Sequence, residues 1–174
     1  MKKKPSLLYD KTVVEEMLVQ SNLIEGMSMK YAHEDAMKAW RYIVTVPKLS
    51  VGAILRVHEL LATRINPRIA GSLRTVDVFI GGQCREYVGR EAMLAEIQDF
   101  IDDVDGSIIV HGGKDGDKTA KDCHVKFEHI HPFEDFNGRT GRILYNWHRL
   151  QLGLPVHIIH IGQEQYNYYD WFKK

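Results

Sequence analysis

The chain has 174 residues, 44% of them hydrophobic and 26% charged, which is enough for one domain around one sizeable core. Lys+Arg and Asp+Glu balance at 23 each, which excludes a global basic field drawing in nucleic acid or an anionic membrane. Anion binding, if any, must come from local clusters, and no stretch approaches the roughly 18 apolar residues of a membrane span.

Taken in chain order, the opening "MKKKPSLLYD" has a basic start without an apolar run behind it, so it does not read as a secretory signal. Lys2–Lys4 read as a solvated end. Residues 12–23 predict a helix, with Val13, Val14, Met17 and Leu18 on one side. Asp10 or Thr12 is its cap, Glu15 completes a capping box after Thr12, and Gly26 is the stop. Residues 33–44 and 50–64 predict two more helices, the second with Ile54, Val57, Leu60 and Leu61 at helical spacing. The pattern then alternates in "RTVDVFIGGQCREYV", with Val76, Val78 and Ile80 on one face, and Gly81-Gly82 supplies a tight turn. This is a β-hairpin signal. A helix is predicted over 90–104, a Gly- and Asp-rich loop over 105–122, helices over 120–129 and 138–151, and a short last helix in "EQYNYYDWFKK". Cys84 and Cys123 are too few for a disulfide framework and point to a reduced, cytoplasmic setting. The chain is mostly α with one hairpin and no internal repeat.

The most informative stretch is "HPFEDFNGRTGR", residues 131–142. Pro132 disfavours helix at His131, so the preceding helix ends there. "EDFNG" has turn composition, and Ile143, Leu144, Trp147 and Leu150 then form an apolar stripe at helical spacing. The arrangement is helix, loop, helix, with the loop feeding a helix N-terminus rich in unpaired N–H groups. Arg139 and Arg142 share a face of its first turn, where cations oppose the dipole by a few tenths to about 1 kcal/mol each. They make sense there if an anion sits in front of them; the bland reading pairs them with a nearby acid such as Glu134. Asp135 suits the single carboxylate that Mg²⁺ on phosphates needs, or else an Asx-type turn. Phe133 points inward. His131, beside an anion seat, can take a proton from a hydroxyl. His124, Glu128, His129 and His131 are also crowded, but no HExxH or CxxC pattern is present and a zinc site is the weaker reading.

These twelve residues resemble the signature of the Fic family, HPFx[D/E]GNGRxxR, and "ILRVHELL", "GSLRTVDVFIGG" and "EHIHPF" follow in the order of a Fic domain over residues 50–161. The resemblance implies a helical bundle around a central helix-loop-helix motif with one hairpin flap. It implies transfer of AMP from ATP to a Ser, Thr or Tyr hydroxyl of a target protein, the chain itself included, with Mg²⁺ as cofactor. By it, His131 is the base, Asp135 holds the metal, and Phe136, Asn137, Gly138, Arg139 and Arg142 line the phosphates. Val78, Phe79, Ile80 and Gly81 form the target-docking flap, whose exposed strand edge recruits an extended peptide. The departure is Phe136, where the family usually has Gly; it either adopts the turn's backbone angles or narrows the nucleotide pocket. Doc-type kinases of the same superfamily typically carry Lys after the Asn, so Gly138 and Arg139 resemble the AMP-transferring branch.

"SNLIEG", residues 21–26, resembles the family's inhibitory pattern [S/T]xxxE[G/N]. The implied pair is Glu25 with Arg142, a carboxylate standing in for the γ-phosphate, with Ser21 the other fixed residue. Residues 1–30 then form an inhibitory helix segment and 31–174 the Fic core. Two alternatives stay open: removal of AMP or another nucleotidyl or phosphoryl transfer on the same scaffold, and a catalytically degenerate nucleotide-binding module. Oligomerisation is allowed; no nucleic-acid or membrane partner is expected.

Overall fold

The computed structural model of the chain describes residues 10–110 and 115–173. The basic end at Lys2–Lys4 and residues 111–114 of the Gly- and Asp-rich stretch lie outside the described residues.

Helix α1 spans Lys11–Ile24. Asp10 is its cap, and its carboxylate accepts the Thr12 N–H at 2.7 Å. The helix buries Val14, Met17 and Leu18 along one stripe. Its end is a Schellman motif: the Gly26 N–H bonds Leu23 O and the Met27 N–H bonds Asn22 O, both at 2.9 Å, with Gly26 at φ 70°. That motif sets Glu25 at the C-cap, one turn after Ser21 and on the same side.

Helix α2, Lys30–Ile43, starts three residues before the expected His33. Helix α3, Val51–Ala62, begins at Ser50, whose hydroxyl accepts the Ala53 N–H at 3.1 Å. The hairpin follows, with β1 (Val78–Ile80) antiparallel to β2 (Gln83–Arg85) and Phe79 opposite Cys84. Gly81 and Gly82 have φ 55° and 83°, the two positive values that a type I′ turn needs.

The loop expected over 105–122 is mostly helix. Helix α4 runs Arg90–Val110 and α5 runs Gly116–Ile130. The breaker composition of Asp105-Gly106 is overridden by tertiary contact. Ser107 is buried, where its hydroxyl meets His148 Nε2 at 2.7 Å, and Ile108 packs on the core. Ile109 and Val110 stay exposed.

Helix α6, Asn137–Gln151, is the centre of the molecule, buried at every position from Arg139 to Leu150. Trp40 of α2, Ile54 and Val57 of α3, Met93 and Ile97 of α4, and Phe127 of α5 form one core with its Ile143 and Trp147. The short α7, Gln163–Tyr169, and a 3₁₀ turn, Asp170–Phe172, close the described chain. The architecture is the expected one: helices around a central helix-loop-helix, interrupted by one hairpin. Among the described residues, no helix is long and apolar enough to cross a membrane.

Candidate active site at the start of α6

Helix α5 stops at His131, which takes the left-handed conformation (φ 48°, ψ 62°). Such a backbone costs on the order of 1–3 kcal/mol for a non-glycine residue and persists only where its surroundings impose it. Here they do. The His131 carbonyl accepts Arg74 Nε at 2.8 Å, and the Pro132 carbonyl accepts the Arg74 N–H at 2.9 Å. Phe133 is wholly buried and stacks on the His58 ring, centroids 3.8 Å apart. Asn137 closes the loop on itself: its Oδ1 accepts the Phe133 N–H at 3.0 Å and its Nδ2 donates to Phe133 O at 2.8 Å. The Asn137 side chain therefore pins the loop.

Asp135 is exposed at the loop's tip, with Oδ1 accepting the Phe136 N–H at 2.5 Å. Its carbonyl accepts His58 Nε2 at 3.2 Å, while His58 Nδ1 accepts the Gly71 N–H at 3.0 Å. These two bonds fix one neutral tautomer. Burial agrees, pushing the His58 pKa down to about 4.

Phe136 also adopts the left-handed region, φ 64° and ψ 10°. Its side chain is buried, edge-on to His58, and the Arg139 guanidinium lies over its ring at 3.8 Å. The phenyl group takes the turn's left-handed angles and packs into the core. Arg139 is itself buried, and its Nε has no hydrogen-bond partner among the described residues.

Arg142 is 3% exposed and turns towards α1. Its Nε donates to Ser21 Oγ at 2.8 Å, and its Nη2 donates to Ser21 O at 3.0 Å and Glu25 Oε1 at 2.6 Å. Burial works against its charge, but Tyr168, Glu25 and Glu128 outweigh that and hold the guanidinium firmly protonated. The Glu25 carboxylate also lies over the first turn of α6: a Cβ on Gly138 would come 2.5 Å from Glu25 Oε1 and 3.0 Å from Arg142 Nη1. Among the described residues no side chain caps that helix, so its first N–H groups are left for another acceptor. The bland pairing fails, because Glu134 binds Arg68 at 2.6 Å instead.

His131 completes the site. Its Nδ1 donates to Glu128 O at 3.2 Å, which leaves Nε2 as the lone-pair nitrogen. Burial holds its pKa below the ordinary histidine value, with the Glu128 carbonyl opposing and Arg74 adding to the depression. The ring is neutral at pH 7 and able to accept a proton.

The structure brings Ser21, Glu25, Gly138 and Arg142 together, and sets His131, Asp135, Phe136 and Arg139 on the same loop and turn. The hairpin is joined to them by Arg74, which the sequence did not single out. Arg74 is 3% exposed and also donates to the carbonyls of Val76 (2.9 Å), Arg85 (3.3 Å) and Glu86 (3.1 Å). Phe79 of the flap is 71% exposed. His58 was missed too, although it interrupts the apolar stripe of Ile54, Val57 and Leu61, and a polar residue on a buried face is a signal of structural use.

A family model described as the Fic/DOC family matches residues 48–148. The protein adenylyltransferase Fic of Culex quinquefasciatus is 30% identical over 120 residues, covering 69% of this chain and 23% of that protein. Its counterpart in Drosophila grimshawi is 30% identical over 156 residues, covering 88% of this chain and 30% of that protein. This chain thus spans less than a third of these relatives. Among solved structures, Fic-1 (aa134–508) from C. elegans superposes with a TM-score of 0.76 at 21% identity, over 98% of this chain and 57% of that one. A Fic domain containing signalling protein from Bacteroides thetaiotaomicron gives 0.76 at 19% identity, over 98% of this chain and 74% of that one. At such identity these two speak for the fold, and the family follows from the match over residues 48–148: the chain belongs to the Fic/DOC family.

Proposed function

We propose that this chain transfers AMP from ATP to a hydroxyl group of a protein, and that α1 holds it in a self-inhibited state. The observation that carries this reading is the Glu25 carboxylate bound to Arg142 directly over Gly138. A carboxylate there occupies a seat built for anionic oxygen: helix N–H groups, a buried cation, and a glycine without which the approach is blocked. When Glu25 leaves, the γ-phosphate takes its place on Arg142, and Arg139, with its Nε unpaired, serves the neighbouring phosphate oxygens.

The chemistry then follows from His131. Its Nε2 takes the proton from the target hydroxyl. The oxygen attacks the α-phosphorus, the bond from that phosphorus to the bridging oxygen breaks, and pyrophosphate leaves. Asp135 suits Mg²⁺: it is one exposed carboxylate, and phosphate oxygens and water complete such a shell. Mg²⁺, when bound, neutralises charge on the phosphates. The hairpin supplies the docking edge. In a two-residue hairpin the Ile80–Gln83 pair exchanges hydrogen bonds, so the alternation turns the Phe79 N–H and C=O outward, towards an added strand. The relatives named as adenylyltransferases support this choice of reaction.

The test is incubation of the Glu25→Gly protein with labelled ATP·Mg²⁺ and a cell extract. Strong labelling of protein is expected with Glu25→Gly, weak labelling with the unaltered chain, and none with Glu25→Gly/His131→Ala. Equal labelling with and without Glu25 would remove the inhibition claim. Loss of label from already modified protein would reassign the site to the reverse reaction. No nucleotide binding in any variant would make it a degenerate module.

A further inference from the structure

Glu128 lies on α5, one turn before His131, and takes no part in the chemistry above. It is 8% exposed. Its backbone carbonyl accepts His131 Nδ1 at 3.2 Å, and its carboxylate Oε2 stands 3.9 Å from the same nitrogen. Its Oε1 has no hydrogen-bond partner among the described residues. Space for the carboxylate is reserved by α6: a Cβ on Gly141 would fall 2.1 Å from Oε1. The groups facing it come from four elements. They are His124 and His131 of α5, Arg142 of α6, Glu25 of α1 and Tyr168 of α7. His124 Nε2, 4.0 Å from Oε1, is bonded to the Tyr168 hydroxyl at 2.9 Å and is neutral. Arg74 and Arg85 act on His131 from the flap side.

For packing alone, a buried carboxylate without a direct partner is a poor choice, since an apolar side chain of similar volume serves as well or better. A buried titratable group against a base has a use in charge. We propose that Glu128 is a positioning residue for His131: its carboxylate backs the ring and stabilises the imidazolium formed when Nε2 takes the hydroxyl proton. The proposal rests on the AMP-transfer reading. During the step the proton passes from the hydroxyl oxygen to Nε2, and Nδ1–H keeps its bond to the Glu128 carbonyl. The carboxylate accepts no proton; its negative charge offsets the positive charge of the ring, which later releases its proton to water. Burial, opposed by Arg142 and reinforced by Glu25, raises the Glu128 pKa to about 7. The support is therefore switched off by modest acidification.

The experiment is a ¹³C titration of the full chain with histidine labelled at Cε1, the His131 resonance being assigned by its loss in His131→Ala. A two-step curve is expected, with one inflection near pH 7 from Glu128. In Glu128→Gln that inflection vanishes, leaving the single lower step of the ring itself. On the Glu25→Gly background, Glu128→Gln lowers kcat about tenfold and leaves the KM for ATP within about twofold, whereas general structural damage moves both. A one-step His131 titration, unchanged by Glu128→Gln, overturns the proposal. If Glu128→Gln does not fold, the curve of the unaltered protein decides by itself. Two-step titration in a chain that transfers no AMP would retire the AMP-transfer reading and leave the charge pairing standing.

Discussion

The Arg142 guanidinium and the Glu25 carboxylate meet at 2.6 Å across 117 positions of sequence. Three acceptors from the last turn of α1 converge on one side chain: Ser21 Oγ, Ser21 O and Glu25 Oε1. Only the glutamate carries the charge that competes with phosphate. Glu25→Gly should therefore tighten ATP·Mg²⁺ binding by at least about tenfold, the scale of one charge-assisted hydrogen bond. Ser21→Ala removes one neutral acceptor while the carbonyl remains, and should gain only a few-fold. Calorimetry on the three proteins checks this order. Equal affinities would separate the ion pair from nucleotide binding.

The candidate site around His131, Asp135, Arg139 and Arg142 was legible because its parts lie within twelve residues and oppose a general rule: two arginines in the first turn of a helix need a reason. The Ser21–Glu25 pair was legible as a spacing, and the C-cap geometry of Gly26 shows why that spacing works. Arg74 and His58 were not legible as site residues. Their roles are hydrogen bonds to backbone carbonyls and N–H groups far along the chain, at His131, Glu86, Asp135 and Gly71. No local pattern encodes those partners. The helical end of α4 was misread for a similar reason, since the Ser107–His148 contact that holds it spans 41 positions.

Gly138→Ala should separate inhibition from binding. The added methyl group would stand 2.5 Å from Glu25 Oε1, closer than any real Cβ contact, and would push the carboxylate off the turn. It would also fill the seat that a phosphate oxygen needs. Glu25→Gly/Gly138→Ala should thus bind ATP·Mg²⁺ at least about tenfold more weakly than Glu25→Gly alone, with little change in fold by circular dichroism. Undiminished binding in the double variant would move the phosphates elsewhere.

Phe136→Gly tests whether the phenyl ring obstructs nucleotide or supports Arg139. Glycine relieves the left-handed backbone, worth on the order of 1 kcal/mol. It loses a buried phenyl group that contacts His58 and Arg139, worth about 3–5 kcal/mol. The net expectation is a destabilisation of about 2–4 kcal/mol by urea unfolding. Arg139 loses its platform, so ATP affinity should fall in the Glu25→Gly background. A gain in affinity would mean that the ring narrows the pocket.

Arg74→Met should detach the flap. The buried guanidinium serves the carbonyls of His131, Val76, Arg85 and Glu86, and methionine leaves all four without that donor. Amide exchange across 78–85 should accelerate by at least about tenfold as the hairpin opens more often. In the Glu25→Gly background, protein labelling should fall by more than ATP binding does, because the proposed docking edge is no longer tied through Arg74 to the His131 carbonyl. Unchanged exchange would show that the hairpin is held by its turn and strand pairing alone.

Stability should fall steeply on mild acidification, and the sign can be worked group by group. Burial pushes the pKa of His58 and His148 down to about 4 and that of His124 to about 3. A histidine with a depressed native pKa leaves stability untouched above the unfolded value of about 6.5, and costs stability as pH falls from there towards the native value. Between pH 7 and 5 each of the three costs about 2 kcal/mol, roughly 6 kcal/mol together. Glu128 acts oppositely. Its native pKa, raised to about 7, makes the folded state more favourable as pH falls through that window, by about 2 kcal/mol. The histidines win, and the net loss of about 4 kcal/mol is a large share of a domain's usual 5–15 kcal/mol. Urea midpoints measured at pH 7, 6 and 5 should drop monotonically, and His58→Gln should remove about a third of the histidine contribution to the slope. Midpoints that stay level to pH 5 would mean that these imidazoles carry protons inside the folded protein. The neutral tautomer assigned to His58, bridging Gly71 and Asp135, would then be wrong.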